Sequence, residues 1–227
     1  IVAPTASFSV AEIAQLDKFL ASGKNILVAL NPVKANLQAS QGEAQTTGLE
    51  TWLATKGIDI KPNFVIDAQC APITVQQQNG FMAFNQQIAF PYLPLIKRFA
   101  DHPVVKGIEQ VMMPFAGAIG IKPANGVKIT ALALTSEHSG IEPSPLTFDI
   151  NKQLPQYNYN SPNMAVAVAA EGNLSGNTPA KMIVYADADF ALNGDGQQQQ
   201  QQQPDNINLL VNGIDWLSDD SGLSELR

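Results

Sequence analysis

The sequence predicts an α/β fold: three layers built on an open, mostly parallel sheet, with an inserted hairpin and extra strands. Three observations predict it. A capped, amphipathic helix stands between Ile1-Val2 and the unbroken apolar run Ile26 to Leu30, which is the order of a right-handed βαβ unit. That run is strand-sized and does not alternate, as expected of a strand buried on both faces. Lys181 to Ala186 is a second apolar run that returns to the central sheet, and a closing helix follows it.

The elements follow in chain order. Ser9 with Glu12 three positions later is a capping box, Ile13, Leu16, Phe19 and Leu20 keep helical spacing, and Gly23 supplies the left-handed stop. A second helix is expected from Thr46 or Thr47 to Lys56, with Leu49, Trp52 and Leu53 on one side and Gly57 as its end. Phe64 to Asp67 reads as a short strand. Asn79-Gly80 between Ile73-Thr74-Val75 and Phe81-Met82-Ala83-Phe84 is a strong hairpin signal. Ala89 to Pro94 is too broken by proline for a central strand and fits an edge or a loop across the sheet. Strands are then expected over Val111 to Ile119, Lys128 to Thr135, Thr147 to Ile150 and Met164 to Ala170. Residues 194–204 hold a glutamine tract, read as a low-complexity loop. Ile207, Leu210, Val211, Ile214 and Leu217 keep helical spacing, with Trp216 as the anchor of the last helix. Open α/β sheets of this kind include the Rossmann, flavodoxin-like and amidotransferase-like arrangements.

Composition bounds the function. The 227 residues are 45% hydrophobic and 15% charged, the profile of a globular chain, expected here to be a single domain over 1–227. Thirteen Lys+Arg against twenty Asp+Glu give a net charge of -7, the wrong sign for nucleic-acid binding. No apolar run approaches the ~20 residues of a spanning helix. The single cysteine, Cys70, excludes an intramolecular disulfide. The start at Ile1-Val2-Ala3-Pro4 reads as the end of a strand entering a helix cap, so the chain is expected to be a fragment of a longer, membrane-anchored protein.

The catalytic inventory is thin. Ser136 and His138 lie two residues apart along an extended segment and do not face each other. His102, before Pro103, reads as punctuation between loop and helix. Cys70 lacks a Gly-x-Cys-x-Gly elbow and is followed by Pro72, so a structural thiol is expected. Neither a Gly-x-Gly-x-x-Gly nor a Walker A sequence occurs, so no cofactor is expected, and two carboxylates without a denser acidic cluster do not suggest a metal. The most suggestive polar group is Asp187 with Asp189, at the carboxyl edge of the Lys181 to Ala186 strand, where open α/β sheets place ligands. With Thr5 and Asn31 from neighbouring strand exits they are candidates to line a crevice for a solute, a glycan or a partner loop. The competing reading makes Asp187 a shaper of the turn, with Phe190 covering the core.

Several blocks, in this order and spacing, resemble a known family. They are Val2-Ala3-Pro4-Thr5 with Phe8 to Ile13, Leu16 to Lys24, Ile26 to Pro32, His102 to Ile108, Lys181 to Phe190, and Asn208 to Leu217 ending in Asp215-Trp216-Leu217. Together they are similar to the extracytoplasmic domain of the GldG-like, gliding-motility-associated auxiliary proteins of bacterial ABC transport systems. The resemblance implies a non-catalytic domain on the periplasmic, outer face of the cytoplasmic membrane. It would be anchored by segments outside 1–227 and work with separate permease and ATPase subunits. It does not imply gliding itself. The alternative is an α/β hydrolase or carbohydrate-active enzyme using Asp and His residues at loop ends.

Overall fold

The computed structural model describes residues 1–79, 82–150, 154–192 and 203–219. The hairpin tip Gly80-Phe81 and most of the expected glutamine loop 194–204 lie outside them. The chain opens with helix α1 (Val10–Ala21), closed at its start by the Ser9–Glu12 capping box. It continues through strands β1 (Ile26–Ala29), β2 (Val33–Asn36) and β3 (Gln41–Ala44), the short helix α2 (Leu49–Ala54), and strands β4 (Ile58–Ile60) and β5 (Asn63–Asp67). A long hairpin follows, β6 (Cys70–Asn79) and β7 (Met82–Ile96), then β8 (Arg98–Phe99), β9 (Val111–Met112), β10 (Ile119–Ile121) and β11 (Val127–Leu134). The last elements are β12 (Ser139–Pro143), β13 (Leu146–Thr147), β14 (Ala165–Gly172), β15 (Ala180–Tyr185) and helix α3 (Pro204–Ser218).

The main sheet runs β1-β15-β14-β10-β4, with β11 also on β14 and β8 on β11. Here the expected open, mostly parallel three-layer α/β sheet is corrected. Among the described residues the fold is mostly β, and β1 with β15 is its one parallel strand pair; β14 meets β15, β11 and β10 antiparallel. The physical reason is the connection. Residues 173–179 join β14 to β15 too briefly for the crossover a parallel pair requires, and Gly172 and Gly176 turn the chain with φ of 123° and 87°. At the other end, the expected first strand reduces to one parallel bridge, Val2 with Val28.

Continuous apolar strands nevertheless do bury both faces. Leu27, Ala29, Ile183 and Tyr185 point into one core with Leu209 and Trp216 of α3. Ile26, Val28, Met182 and Val184 point into another with Leu20 of α1 and Leu49, Trp52 and Leu53 of α2. The sequence pattern that suggests a parallel sheet therefore reports burial by helices on both sides, not strand direction.

Three smaller sheets, β12-β5, β13-β3-β2 and β6-β7-β9, enclose a third core of Phe64, Phe90, Tyr92 and Phe148. Phe64 meets Phe148 edge to face with centroids 5.5 Å apart. The segment Ala89 to Pro94 is strand, part of β7, rather than a loop; β9 pairs with β7 only beyond it, at Leu95 and Ile96, so among the described residues this stretch has β6 as its one ladder partner. Its prolines are accommodated beside a register shift at Cys70/Pro72. The strand expected over Val111 to Ile119 is split into β9 and β10, because Pro114 and Phe115, with φ of 54°, turn the chain between them. Helix α3 is turned partly away from the expected face. Trp216 is buried as the expected anchor and Leu210 and Leu217 pack half-buried against the core, but the buried positions are Asn206, Leu209, Gly213 and Trp216, while Ile207, Val211 and Ile214 are exposed.

Candidate functional site

The carboxyl ends of the parallel pair bring three of the four expected site residues together. Leu30 N–H donates to the Tyr185 carbonyl, which keeps the two strands aligned to their last residues. Asn31 then stands opposite the Asp187-Ala188-Asp189 turn and clamps it. Its Oδ1 accepts the Ala188 N–H at 2.6 Å, and its Nδ2 donates to Asp189 Oδ2 at 2.9 Å. Within the turn, the Asp189 N–H donates to Asp187 Oδ1 at 2.7 Å, the local bond that makes Asp a turn former. Thr5 lies elsewhere. It is exposed on the segment leading to α1 and lines a depression of about 380 Å³ with Ile1 to Phe8 and Glu12.

The two carboxylates have opposite environments. Asp189 is exposed, whereas Asp187 is fully buried and its Oδ2 has no hydrogen-bond partner. Burial pushes the Asp187 carboxyl well above the usual range. The nearby Asp189 charge adds to that shift, and the backbone N–H groups of Asp189 and Phe190 oppose it without cancelling it. The turn is closed from below by Phe190, whose ring packs 4.8 Å from that of Tyr185.

Two further contacts hold this edge, and neither is evident in the sequence. Gly117 N–H donates to the Ala186 carbonyl at 3.0 Å, and a Cβ at Gly117 would stand 2.2 Å from Pro32 Cγ, so only glycine lets this loop reach the strand exit. Asn206, buried in the first turn of α3, donates to the carbonyls of Met112 and Phe190 and accepts the Met112 N–H. Its neighbour Asp205 accepts the Glu109 and Gln110 N–H groups, which hold its carboxyl below the usual range. The start of α3 thus fixes the 187–190 turn and the β9 approach at once. The only sequence signal is a pair of polar residues after Pro204, the ordinary dress of a helix start.

The other titratable candidates are tied into structure. Ser136 Oγ donates to Asp67 Oδ1 at 2.6 Å and accepts the His138 backbone N–H at 3.0 Å, so its hydroxyl is engaged by a carboxylate and a peptide group. Asp67, wholly buried, also accepts the Ser136 and Gln69 N–H groups and thereby pins the residue 136 loop to the end of β5. Burial and the Asp67 charge push the Cys70 thiol up, despite a bond from the Phe90 backbone, the reverse of an activated thiolate. His102 caps the 3₁₀ turn Pro103–Val105, and its ring lies 5.0 Å from that of Trp216.

What the carboxyl-edge cluster can do chemically is recognise. It offers a surface carboxylate oriented by an amide, with a buried carboxyl behind it, and it assembles no pairing of nucleophile with base among the described residues. No helix among them is long and apolar enough to cross a membrane. No curated protein matches the chain. A family model described as an ABC-type uncharacterized transport system matches residues 1–218. With nearly the whole fold inside that match, the chain belongs to this family, as an auxiliary component of an ABC transport system.

Proposed function

We propose that this chain is the non-catalytic recognition domain of its ABC transport system. In this reading it is extracytoplasmic, carried on the outer face of the cytoplasmic membrane by segments outside 1–227, and works beside separate permease and ATPase subunits. The observation that carries the recognition role is the wiring of Asn31 to Ala188 and Asp189 at the exit of the parallel pair. It positions the exposed Asp189 carboxylate as an acceptor for the hydroxyl or N–H donors of a solute, a glycan or a partner loop. Support for the absence of catalysis comes from Cys70, whose thiol is pushed up by burial, and from Ser136 and Asp67, which are engaged by each other and by backbone N–H groups.

Asp189→Asn in the full-length protein tests this, because it keeps shape and removes charge. Transport by the complete system is expected to fall, while unfolding free energy stays within ~0.5 kcal/mol, as for an ordinary surface change. Normal transport with the folded variant would overturn the assignment of the site. Protease accessibility of the domain in spheroplasts, compared with lysed cells, tests the location separately.

A further inference from the structure

No Asp, Glu, Lys, Arg or His occurs between Asp67 and Lys97, in a chain that is 15% charged. That run folds as β6 and β7, paired antiparallel from Cys70↔Pro94 to Asn79↔Met82. Strand β9 joins β7 only at Leu95 and Ile96, so among the described residues β6 is an edge strand over its whole length. Pro72, Thr74 and Gln76 are exposed along it, Ile73 and Val75 are half-buried, and Asn85, Gln86 and Gln87 opposite are exposed as well. Natural edge strands are normally blunted by charge, proline or a bulge. Here Pro72 and the register shift protect only the base, and a two-stranded ribbon is marginal in water by itself.

We propose that a second copy of this chain completes the ribbon, its β6 pairing antiparallel with this β6 across a twofold axis to give a four-stranded sheet. The edge is suited to itself. An antiparallel edge presents the same alternation of N–H and C=O to its own copy, so a closed, isologous pair results. Thr74 and Gln76 both donate and accept, so with the axis at Val75 each can pair with the other across the seam. Each copy carries a net charge of -7, and the uncharged strand is where two such chains meet with least repulsion. A partner chosen by charge would require charged residues on this edge, and β6 has none. Ten residues at ~3.4 Å each make an edge about 34 Å long. At roughly 10 Å tall it covers about 350 Å² per copy, below the ~800 Å² of a stable complex, so the dimer is weak and concentration-dependent.

Sedimentation velocity of the whole chain between about 5 and about 500 µM reads this directly. The weight-average coefficient is expected to climb toward that of a dimer and no further. The exposed positions permit two double variants, Thr74→Lys with Gln76→Lys and Thr74→Glu with Gln76→Glu, whose folding is checked by circular dichroism. Both should abolish the climb, because across a twofold axis like charges meet whichever sign is introduced. A wild-type chain that is monomeric throughout, a dimer that survives either folded variant, or open-ended polymers would each overturn the proposal.

Discussion

Asp187→Asn should raise stability at alkaline pH and remove a pH dependence that the wild-type chain carries. Asp187 is fully buried with Oδ2 unpartnered, and burial raises its carboxyl well above the usual range. The unfolded chain releases the same proton near pH ~3.9. Between that value and the raised folded one, the native state holds a proton that the unfolded state has lost, so stability declines as pH rises through this window. Below it both states are protonated and the penalty vanishes. The asparagine keeps the Oδ1 that accepts the Asp189 N–H and cannot ionise. The gain at pH ~8 is set by the cost of an unsatisfied buried group, about 1–3 kcal/mol, offset by up to ~1 kcal/mol because the new amide also lacks an acceptor. A net gain of about 1–2 kcal/mol corresponds, at roughly 2–4 °C per kcal/mol for a chain of this size, to roughly 2–8 °C in melting midpoint. Thermal unfolding of both proteins from pH 3 to 9 is the assay. The two curves should lie within ~1 kcal/mol of each other at the acid end and separate in the variant's favour as pH rises. A variant less stable than wild type by the same amount at every pH would refute the reasoning, since Asp187 would then titrate alike in the folded and unfolded chains.

Three further substitutions probe the frame around the site. Lys56, its side chain 8% exposed, donates to Asp17 Oδ1 at 2.7 Å, and Trp52 and Ser175 donate to the same oxygen. Asp17→Ala strands a buried ammonium and should cost about 2–3 kcal/mol after discounting for the solvent around the half-exposed carboxylate, whereas Lys56→Met should cost less than ~1 kcal/mol, as measured by urea unfolding. Partial burial opposes ionisation of Asp17, but the bonds from Lys56, Trp52 and Ser175 outweigh it and hold the carboxyl below the usual range. Its stabilisation is therefore present at neutral pH and lost as pH falls through the depressed folded value. Trp216→Ala should cost about 3–5 kcal/mol, because the ring is buried and also carries Lys181 Nζ at 4.9 Å from its centroid; a loss under ~1 kcal/mol would mean that α3 is held by its first turn alone.

How far the fold is legible depends on the range of the signal. Local signals translate directly: the Ser9–Glu12 capping box starts α1, the Ile26 to Leu30 run becomes β1, and the Lys181 to Ala186 run becomes its parallel neighbour β15. Strand direction elsewhere is not a local property. The β14 run looks the same whether its neighbours are parallel or antiparallel, because helices on both sides demand apolar residues on both faces in either case. Only the brevity of residues 173–179, with Gly172 and Gly176, carries the distinction, and it weighs against the α/β reading of the whole. The apolar face of α3 is legible only in part, in Trp216, Leu210 and Leu217, for a related reason. Two stripes keep helical spacing, and the sheet takes the one containing Gly213, where the Tyr185 hydroxyl would lie 2.7 Å from a Cβ.

At the candidate site, the sequence places Asp187 and Asp189 by a rule about strand exits that requires one parallel pair, and β1 with β15 is enough to satisfy it. Asn31 follows from the same rule, since it leaves the neighbouring strand on the same edge. Thr5 does not, because Val2 makes only a single bridge to β1 and the chain then departs toward α1 before any strand exit is formed. What no linear pattern could supply is the asymmetry of the two aspartates. They are two residues apart, yet one is enclosed beneath the Gly117 approach and the Phe190 ring while the other meets solvent. The turn bond from the Asp189 N–H to Asp187 holds the buried and the exposed carboxylate in one tight loop. The structural and the recognition readings of the pair are therefore not rivals: Asp187 shapes the turn, and that shape, clamped by Asn31, is what orients Asp189 outward.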